Sequence, residues 1–346
     1  MITLKILDDK DAEMELLDED FVSVIPEEIR WRSWAADSEG ITGDALKEFV
    51  DAKLFPTLQN LDVSDGNKRS ILIRDIFAGT NNYMKNGTII RQVVNKLNEI
   101  DFNASDDRHT FGDIYENLLR DLQSAGNYGE FYTPRAITEI MTEIINPRLG
   151  EKVLDPACGT GGFLTCAIEN IRKQDVHSVD DLKILQETIR GQELKPLPFM
   201  LCATNLIFHD IEVPNVINGD SLNREYTSIT EKDRVDVILA NPPFGASVSD
   251  GVETNYPAAF RTTESADLFL LLMIRLLREG GRAARAVESD VQGLPRRHRA
   301  LQPGGYPAGR ALVRRHDRLF PQLCIGQCLR RTDAPQDGGR SGGYLD

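Results

Sequence analysis

The chain has 346 residues, 41% of them hydrophobic and 27% charged, which is ordinary for a globular protein and enough for two domains around a sizeable core. No apolar run approaches the length of a membrane span and the first residues lack a signal-peptide pattern, so a cytoplasmic protein with no membrane partner is expected. The net charge of −14 argues against a surface that grips duplex nucleic acid unaided, because phosphate binding needs clustered Lys and Arg. Residues 1–127 are predicted to be mainly helical, with apolar residues at three- and four-residue intervals in 41–61, 68–84 and 88–100. Thr42-Gly-Asp-Ala-Leu and Ser105-Asp-Asp-Arg-His look like capped helix starts.

From about residue 128 the pattern changes. Short apolar runs end at Val153-Leu154, Ile189-Arg-Gly-Gln-Glu, Val216-Ile-Asn-Gly-Asp and Val235-Asp-Val-Ile-Leu-Ala, each entering a polar or glycine-bearing turn. Helical stretches (162–172, 198–208) lie between them, so the expectation is an α/β domain over 128–282 whose parallel sheet is covered on both faces. Ligands in such folds bind at the carboxyl ends of the strands. Residues 283–346 depart from this. They hold 11 Arg, 9 Gly and 5 Pro and no Lys, with 11 basic against 6 acidic residues, whereas 1–282 hold 29 against 48. Ala283-Ala-Arg-Ala-Val lacks the apolar run of a buried strand, and the tail is expected to be irregular, as a disordered basic segment or out-of-frame translation. Cysteines 158, 166, 202, 324 and 328 make no Cys-x-x-Cys pair and no Cys/His cluster, so reduced buried thiols are expected, with neither a metal site nor disulfides.

Three loops carry the chemistry. In Asp155-Pro-Ala-Cys158-Gly159-Thr160-Gly161-Gly162-Phe163, glycines let backbone approach a ligand and the following helix start offers N–H groups to an anion. The missing Gly-Lys-Ser/Thr excludes a phosphate-gripping P-loop. An acid just before the glycines suits a cofactor that carries an amine as well as a carboxylate, as S-adenosylmethionine does. Glu193, at the end of the next strand, is placed to accept ribose hydroxyls, with a surface glutamate as the plain alternative. Asn241-Pro242-Pro243-Phe244 follows the strand 235–240. An exocyclic amine such as adenine N6 is a poor nucleophile and needs acceptors for its hydrogens. The Asn241 amide oxygen and the Pro242 carbonyl would supply them, the prolines stiffen the backbone, and Phe244 offers a stacking face for an extruded base. The competing reading of Asn-Pro-Pro is a structural turn.

Together these residues resemble the amino-methyltransferases of DNA, in the order of the adenine-N6 gamma group. The likeness extends to the methylation (M) subunit of type I restriction–modification systems through Gly129-Glu130-Phe131-Tyr132-Thr133-Pro134-Arg135, the 155–163 loop, 241–244, Trp31-Arg-Ser-Trp34-Ala-Ala-Asp and Ile41-Thr-Gly-Asp-Ala-Leu, and covers roughly 1–282. The resemblance implies a Rossmann-like S-adenosylmethionine-dependent sheet behind a helical N-terminal domain. It implies that Glu130 to Arg135, Asp155, Gly159, Thr160, Gly161 and Gly162 line the methionine end of the cofactor, that Glu193 binds ribose, and that Asp220 and Ser221 sit near the cofactor's adenine. Asn241, Pro242, Pro243 and Phe244 would hold the target adenine in DNA. Methyl transfer would be direct, with Cys158 packing the loop. The implied partners are a separate specificity subunit, a second M subunit and a restriction subunit, which fits the acidic charge.

Two departures stand beside the resemblance. The chain starts inside the family's first helical segment, at Leu4-Lys5-Ile6-Leu7, and after Gly280-Gly281-Arg282 the family's next hydrophobic strand is not recognisable. Alternatives kept open are an N-methyltransferase acting on protein glutamine or RNA, and an inactive remnant that binds cofactor or partner only. A hydride-transferring dehydrogenase leaves Asn241–Phe244 unexplained.

Overall fold

In a computed structural model, residues 1–102, 133–288, 323–324 and 329–330 are described. The helix start expected at Ser105 and the site residues Glu130, Phe131 and Tyr132 lie outside the described residues, as does the expected domain boundary at 127.

The N-terminal region is helical: α1 Ile2–Leu17, α2 Trp31–Trp34, α3 Gly43–Glu48, α4 Phe55–Gln59, α5 Lys68–Phe77 and α6 Gly87–Asn98. The run expected at 41–61 forms α3 and α4 joined by a π-helical segment, Phe49–Leu54. The run expected at 68–84 stops at Phe77. Thr42 is the N-cap residue of α3 but makes no side-chain cap bond. The caps actually closed belong to Asn67, which accepts from Arg69 and Ser70 N–H, and Asn86, which accepts from Thr88 and Ile89 N–H. Arg91, buried on α6, donates to the carbonyls of Trp34, Ala35, Asp37 and Ile41, so one guanidinium satisfies a turn of buried backbone.

Beyond α7 (Arg135–Ile145) come β1 Val153–Asp155, α8 Gly162–Asp175, α9 Val179–Thr188, β2 Ile189–Glu193, α10 Pro196–Phe208, β3 Asn215–Asn218, β4 Val235–Ala240, α11 Ser265–Leu276 and β5 Leu277–Arg285. The order β3-β2-β1-β4-β5 is parallel throughout. Both sheet faces are covered, as parallel sheets require. In β4 the pleat sends Val237 and Leu239 into one hydrophobic cluster and Ile238 and Ala240 into another, after a register shift between Val235 and Val237. The first cluster runs without a break from the N-terminal helices to the sheet. Thr3 Oγ1 meets Thr204 Oγ1 at 3.0 Å across α1 and α10, and Lys10 pairs with Asp210 at 3.1 Å.

The reading that Ala283-Ala-Arg-Ala-Val cannot form a buried strand past residue 282 is corrected. β5 crosses that boundary and pairs Ala283, Ala284 and Arg285 with Ile238, Leu239 and Ala240. Its buried residues there are Ala283 and Ala284, small enough to fit beside β4 without the bulky apolar run looked for in the sequence. Beyond it, β6 (Val287–Glu288) pairs antiparallel with β7 (Leu323–Cys324), and β8 (Leu329–Arg330) pairs antiparallel with β5.

Candidate active site

The glycine loop and Asn241 face one cleft at the carboxyl ends of β1 and β4. Its lining includes Thr133, Thr138, Asp155, Cys158, Thr160 and Asn241. Adjacent parallel strands make this meeting inevitable, because β1 and β4 are neighbours and both loops leave in the same direction.

On the β1 side the loop is fixed by its own backbone. Asp155 Oδ1 accepts from Ala157 N–H at 3.0 Å. Gly161 is the N-cap residue of α8 at φ +88°, where a Cβ would come 3.0 Å from Cys202 Sγ, so the α8 N-terminus carries no capping side chain. Gly191 on β2 allows the next close approach: a Cβ there would lie 3.0 Å from Cys158 Sγ. Glu193 is pinned at both oxygens, accepting from Gly159 N–H and Lys195 N–H, each at 2.9 Å. The β2 carboxylate therefore sets the position of the loop as well as facing the end of the sheet. The interval between α8 and β2 is filled by α9, whose start is capped by the Ser178 side chain accepting from Asp181 N–H.

Asp155 is 1% exposed, and burial, aggravated by the Glu193 charge, pushes its carboxyl up to about 8 against the help of the Ala157 N–H. Among the described residues no ion pair reaches this carboxyl, and a positively charged ligand group beside it would favour its ionised form. The uncapped α8 start fits a carboxylate. This donor set suits the amine and carboxylate of S-adenosylmethionine. Cys158, Cys166 and Cys202 are free and buried. The Cys158 thiol, hydrogen-bonded to Cys202 and desolvated, is pushed well above its ordinary range, which suits packing rather than nucleophilic attack. Among the described residues no His/Cys/Asp/Glu group could hold a metal ion.

On the β4 side, Asn241 Nδ2 donates to Thr133 Oγ1 at 2.9 Å, which orients the amide and leaves Oδ1 for the cleft. Pro242 is buried and Pro243 exposed. The Pro243 carbonyl accepts from Ser265 Oγ at 3.0 Å, and Gly245 N–H donates to Glu264 Oε1 at 3.2 Å. The Arg285 guanidinium lies over the Phe244 ring, 5.1 Å from its centroid.

Not every expected residue reaches the cleft. Arg135 pairs with Glu139 at 2.9 Å and with Glu169 at 2.5 Å, on the face between α7 and α8. Ser221 Oγ donates to the Pro156 carbonyl at 2.6 Å, so it braces the glycine loop. Asp220 caps the 3₁₀ turn that follows, accepting from Leu222 N–H at 2.8 Å. Sequence reasoning missed Thr138, one turn into α7, whose hydroxyl donates to the Arg135 carbonyl, and it missed Ser265 and Glu264, which anchor 243–245 from twenty residues away. The amphipathic spacing of α7 carried a signal for Thr138. Nothing local marked Ser265 or Glu264.

This arrangement of a β1 glycine loop and a β4 Asn-Pro-Pro-Phe turn coincides with a match to the N-6 DNA methylase family over residues 106–291. The chain belongs to that family. As an N-6 DNA methylase it is 55% identical over 286 residues to the type I restriction enzyme EcoEI methylase subunit of Escherichia coli, an alignment covering 82% of this chain and 58% of that protein. Its fold matches the crystal structure of a modification subunit of a putative type I restriction enzyme from Vibrio vulnificus YJ016 with TM-score 0.73 and 41% identity, over 83% of this chain and 64% of that one. A subunit in a type I R-M system assembly matches with TM-score 0.72 and 34% identity, over 83% and 57%. The chain thus spans somewhat more than half the length of these relatives. No helix among the described residues is long and apolar enough to cross a membrane.

Proposed function

We propose that this chain carries the methyl-transfer site of a type I modification subunit, acting on N6 of adenine in DNA together with a separate specificity subunit. The observation that carries the reading is the shared cleft: the Asn241 amide, its orientation set by Thr133, faces the same space as the buried Asp155 carboxylate and the glycine loop. A second M subunit and a restriction subunit complete the assembly in this reading. The chain's charge of −14 supports delegating DNA grip to a partner.

S-adenosylmethionine, when bound, supplies a methyl group on a sulfonium leaving group. Asp155 would hold its amine, the start of α8 and Thr160-Gly161-Gly162 its carboxylate, and Glu193 its ribose hydroxyls. Asp220 lies toward the adenine end, with Ser221 acting through Pro156. The Asn241 Oδ1 and the Pro242 carbonyl accept the N6 hydrogens of an extruded adenine and Phe244 stacks on its ring, so the nitrogen lone pair faces the methyl group. The same two acceptors would take up the proton that the amine gives up on methylation.

The test is transfer of labelled methyl groups by the full chain, with a specificity subunit added, to duplex DNA, RNA and a glutamine-bearing peptide. Label at adenine N6 of DNA alone is expected. Label in RNA or peptide would overturn the substrate assignment, and cofactor binding without transfer to any acceptor would favour a cofactor-binding remnant.

A further inference from the structure

Between Pro243 and Ser265 the chain leaves the sheet and returns, and its two limbs are joined immediately beyond Phe244. Ser265 N–H donates to the Ala246 carbonyl at 3.0 Å, Val248 N–H to the Thr263 carbonyl at 2.9 Å, and Ser247 bridges Glu264. Farther out, Val252 and Tyr256 are buried in the second hydrophobic cluster with Leu222, and Asn255 Nδ2 reaches the Leu222 carbonyl at 3.4 Å. The next five residues, Pro257-Ala-Ala-Phe260-Arg261, are all exposed. Phe260 is 55% exposed and is the only phenylalanine among the exposed large hydrophobic residues described.

An isolated exposed apolar residue is common and needs no explanation. Here the exposure is built. Phe260 N–H donates to the Pro257 carbonyl at 2.9 Å, and the Arg261 guanidinium clamps the Tyr256 carbonyl at 3.1 Å and the Thr254 carbonyl at 3.4 Å. These bonds hold the turn against the buried Tyr256 and keep the ring outward. Neutral carbonyls orient Arg261 without cancelling its charge, as a partner for phosphate requires. The strut ends at Glu264 and Ser265, the residues whose side chains anchor Pro243 and Gly245, so whatever Phe260 touches is placed relative to the base-holding turn.

We propose that Phe260 is the wedge that enters the DNA base stack when the target adenine is drawn into the Asn241 site. This inference rests on the methyl-transfer reading above. Taking a base out of a duplex leaves a gap whose unstacking cost an inserted apolar ring offsets, and four apolar residues followed by an arginine suit a stack flanked by phosphates.

The test compares wild-type and Phe260→Ala full chains, with specificity subunit, in single-turnover methylation of two duplexes of one sequence. In one the target adenine is paired with thymine; in the other it faces an abasic site, where little stacking and no pairing must be broken. Phe260→Ala is expected to slow transfer at least about tenfold on the paired duplex and less than about threefold on the other, with Phe260→Trp close to wild type. Equal losses on both duplexes would overturn the wedge and mark Phe260 as a contact to the partner subunit. No loss on either would overturn it as well. If the wild-type chain transfers no methyl group, the function proposed above fails and the wedge with it. Being exposed, Phe260→Ala should leave the melting temperature unchanged, which separates these outcomes from misfolding.

Discussion

The two halves of the cleft are built differently. At the β1–β2 ends the groups sit in the core: Asp155 is 1% exposed, Cys158 5% and Thr160 7%, and the holding contacts are backbone N–H groups and glycine approaches. At the β4–β5 ends the tetrapeptide is a surface turn, with Pro243 exposed, kept in place by single bonds from Thr133, Ser265 and Glu264. The contrast teaches that, in the proposed reading, binding and turnover are separable: a rigid pocket would hold a small charged ligand, while a turn on side-chain struts would admit a base that arrives from outside.

The largest expected effect tests that separation directly. Asn241→Ala should reduce methyl transfer by about a thousandfold or more while changing the dissociation constant for S-adenosylmethionine less than about threefold. Equal losses in both, measured by labelled transfer and equilibrium binding, would erase the distinction between the halves.

Next comes Asp155, where the sign follows from linkage. Its folded value of about 8 lies above its ordinary 3.8, so between these the folded ligand-free protein holds a proton that the unfolded chain releases. Its contribution to stability is therefore present at low pH and declines as pH rises through that window. A cationic amine demands the ionised form, so wild-type affinity for S-adenosylmethionine should rise from pH 6 to about 8 and then level. Asp155→Asn should weaken binding by about tenfold or more, flatten this profile, and raise the melting temperature of the ligand-free protein at pH 8. Calorimetric titration across pH decides it; a flat wild-type profile would show that Asp155 does not hold the amine.

Gly161→Ala probes the rigidity of the same half. With φ at +88° and Cys202 Sγ 3.0 Å from the added carbon, it should cost about 1–2 kcal/mol, lower the melting temperature by a few degrees and weaken cofactor binding several-fold. An unchanged melting temperature would mean the loop yields more than its contacts imply. Smallest is Thr133→Val, which keeps the shape and removes the hydroxyl that orients Asn241. Turnover should fall about tenfold with cofactor affinity within about twofold. A change in affinity alone would return Thr133 to the cofactor side, where the resemblance had put it.

Much of this arrangement was legible in the chain. The alternation of short apolar runs with helical stretches announced a parallel sheet, and Gly159 to Gly162 and Asn241 to Phe244 announced its two functional loops, because tight turns and fixed prolines restrict which residues can stand there. Less was legible at the ends of elements. Helix α5 stops at Phe77, ahead of Ala78-Gly79-Thr-Asn-Asn with Gly79 at φ +72°, and not at the end of the 68–84 periodicity, and β5 forms from alanines that carry little strand signal. Its register with β4 overrode local preference, since a parallel neighbour with hydrogen bonds to offer stabilises even a weak strand.

The sequence by itself determined the family, the fold class and the residue types proposed to meet ligands, since those depend on local backbone chemistry and on periodicity. Only the tertiary structure decided what each residue does. It set Thr133 against Asn241 across 108 positions, turned Arg135 toward Glu169, and committed Ser221 to Pro156. It also tied the Phe260 strut to the Asn241–Phe244 turn through Ser265 and Glu264. Such pairings join segments far apart in the chain, and their geometry follows from strand order and packing, which no local pattern encodes.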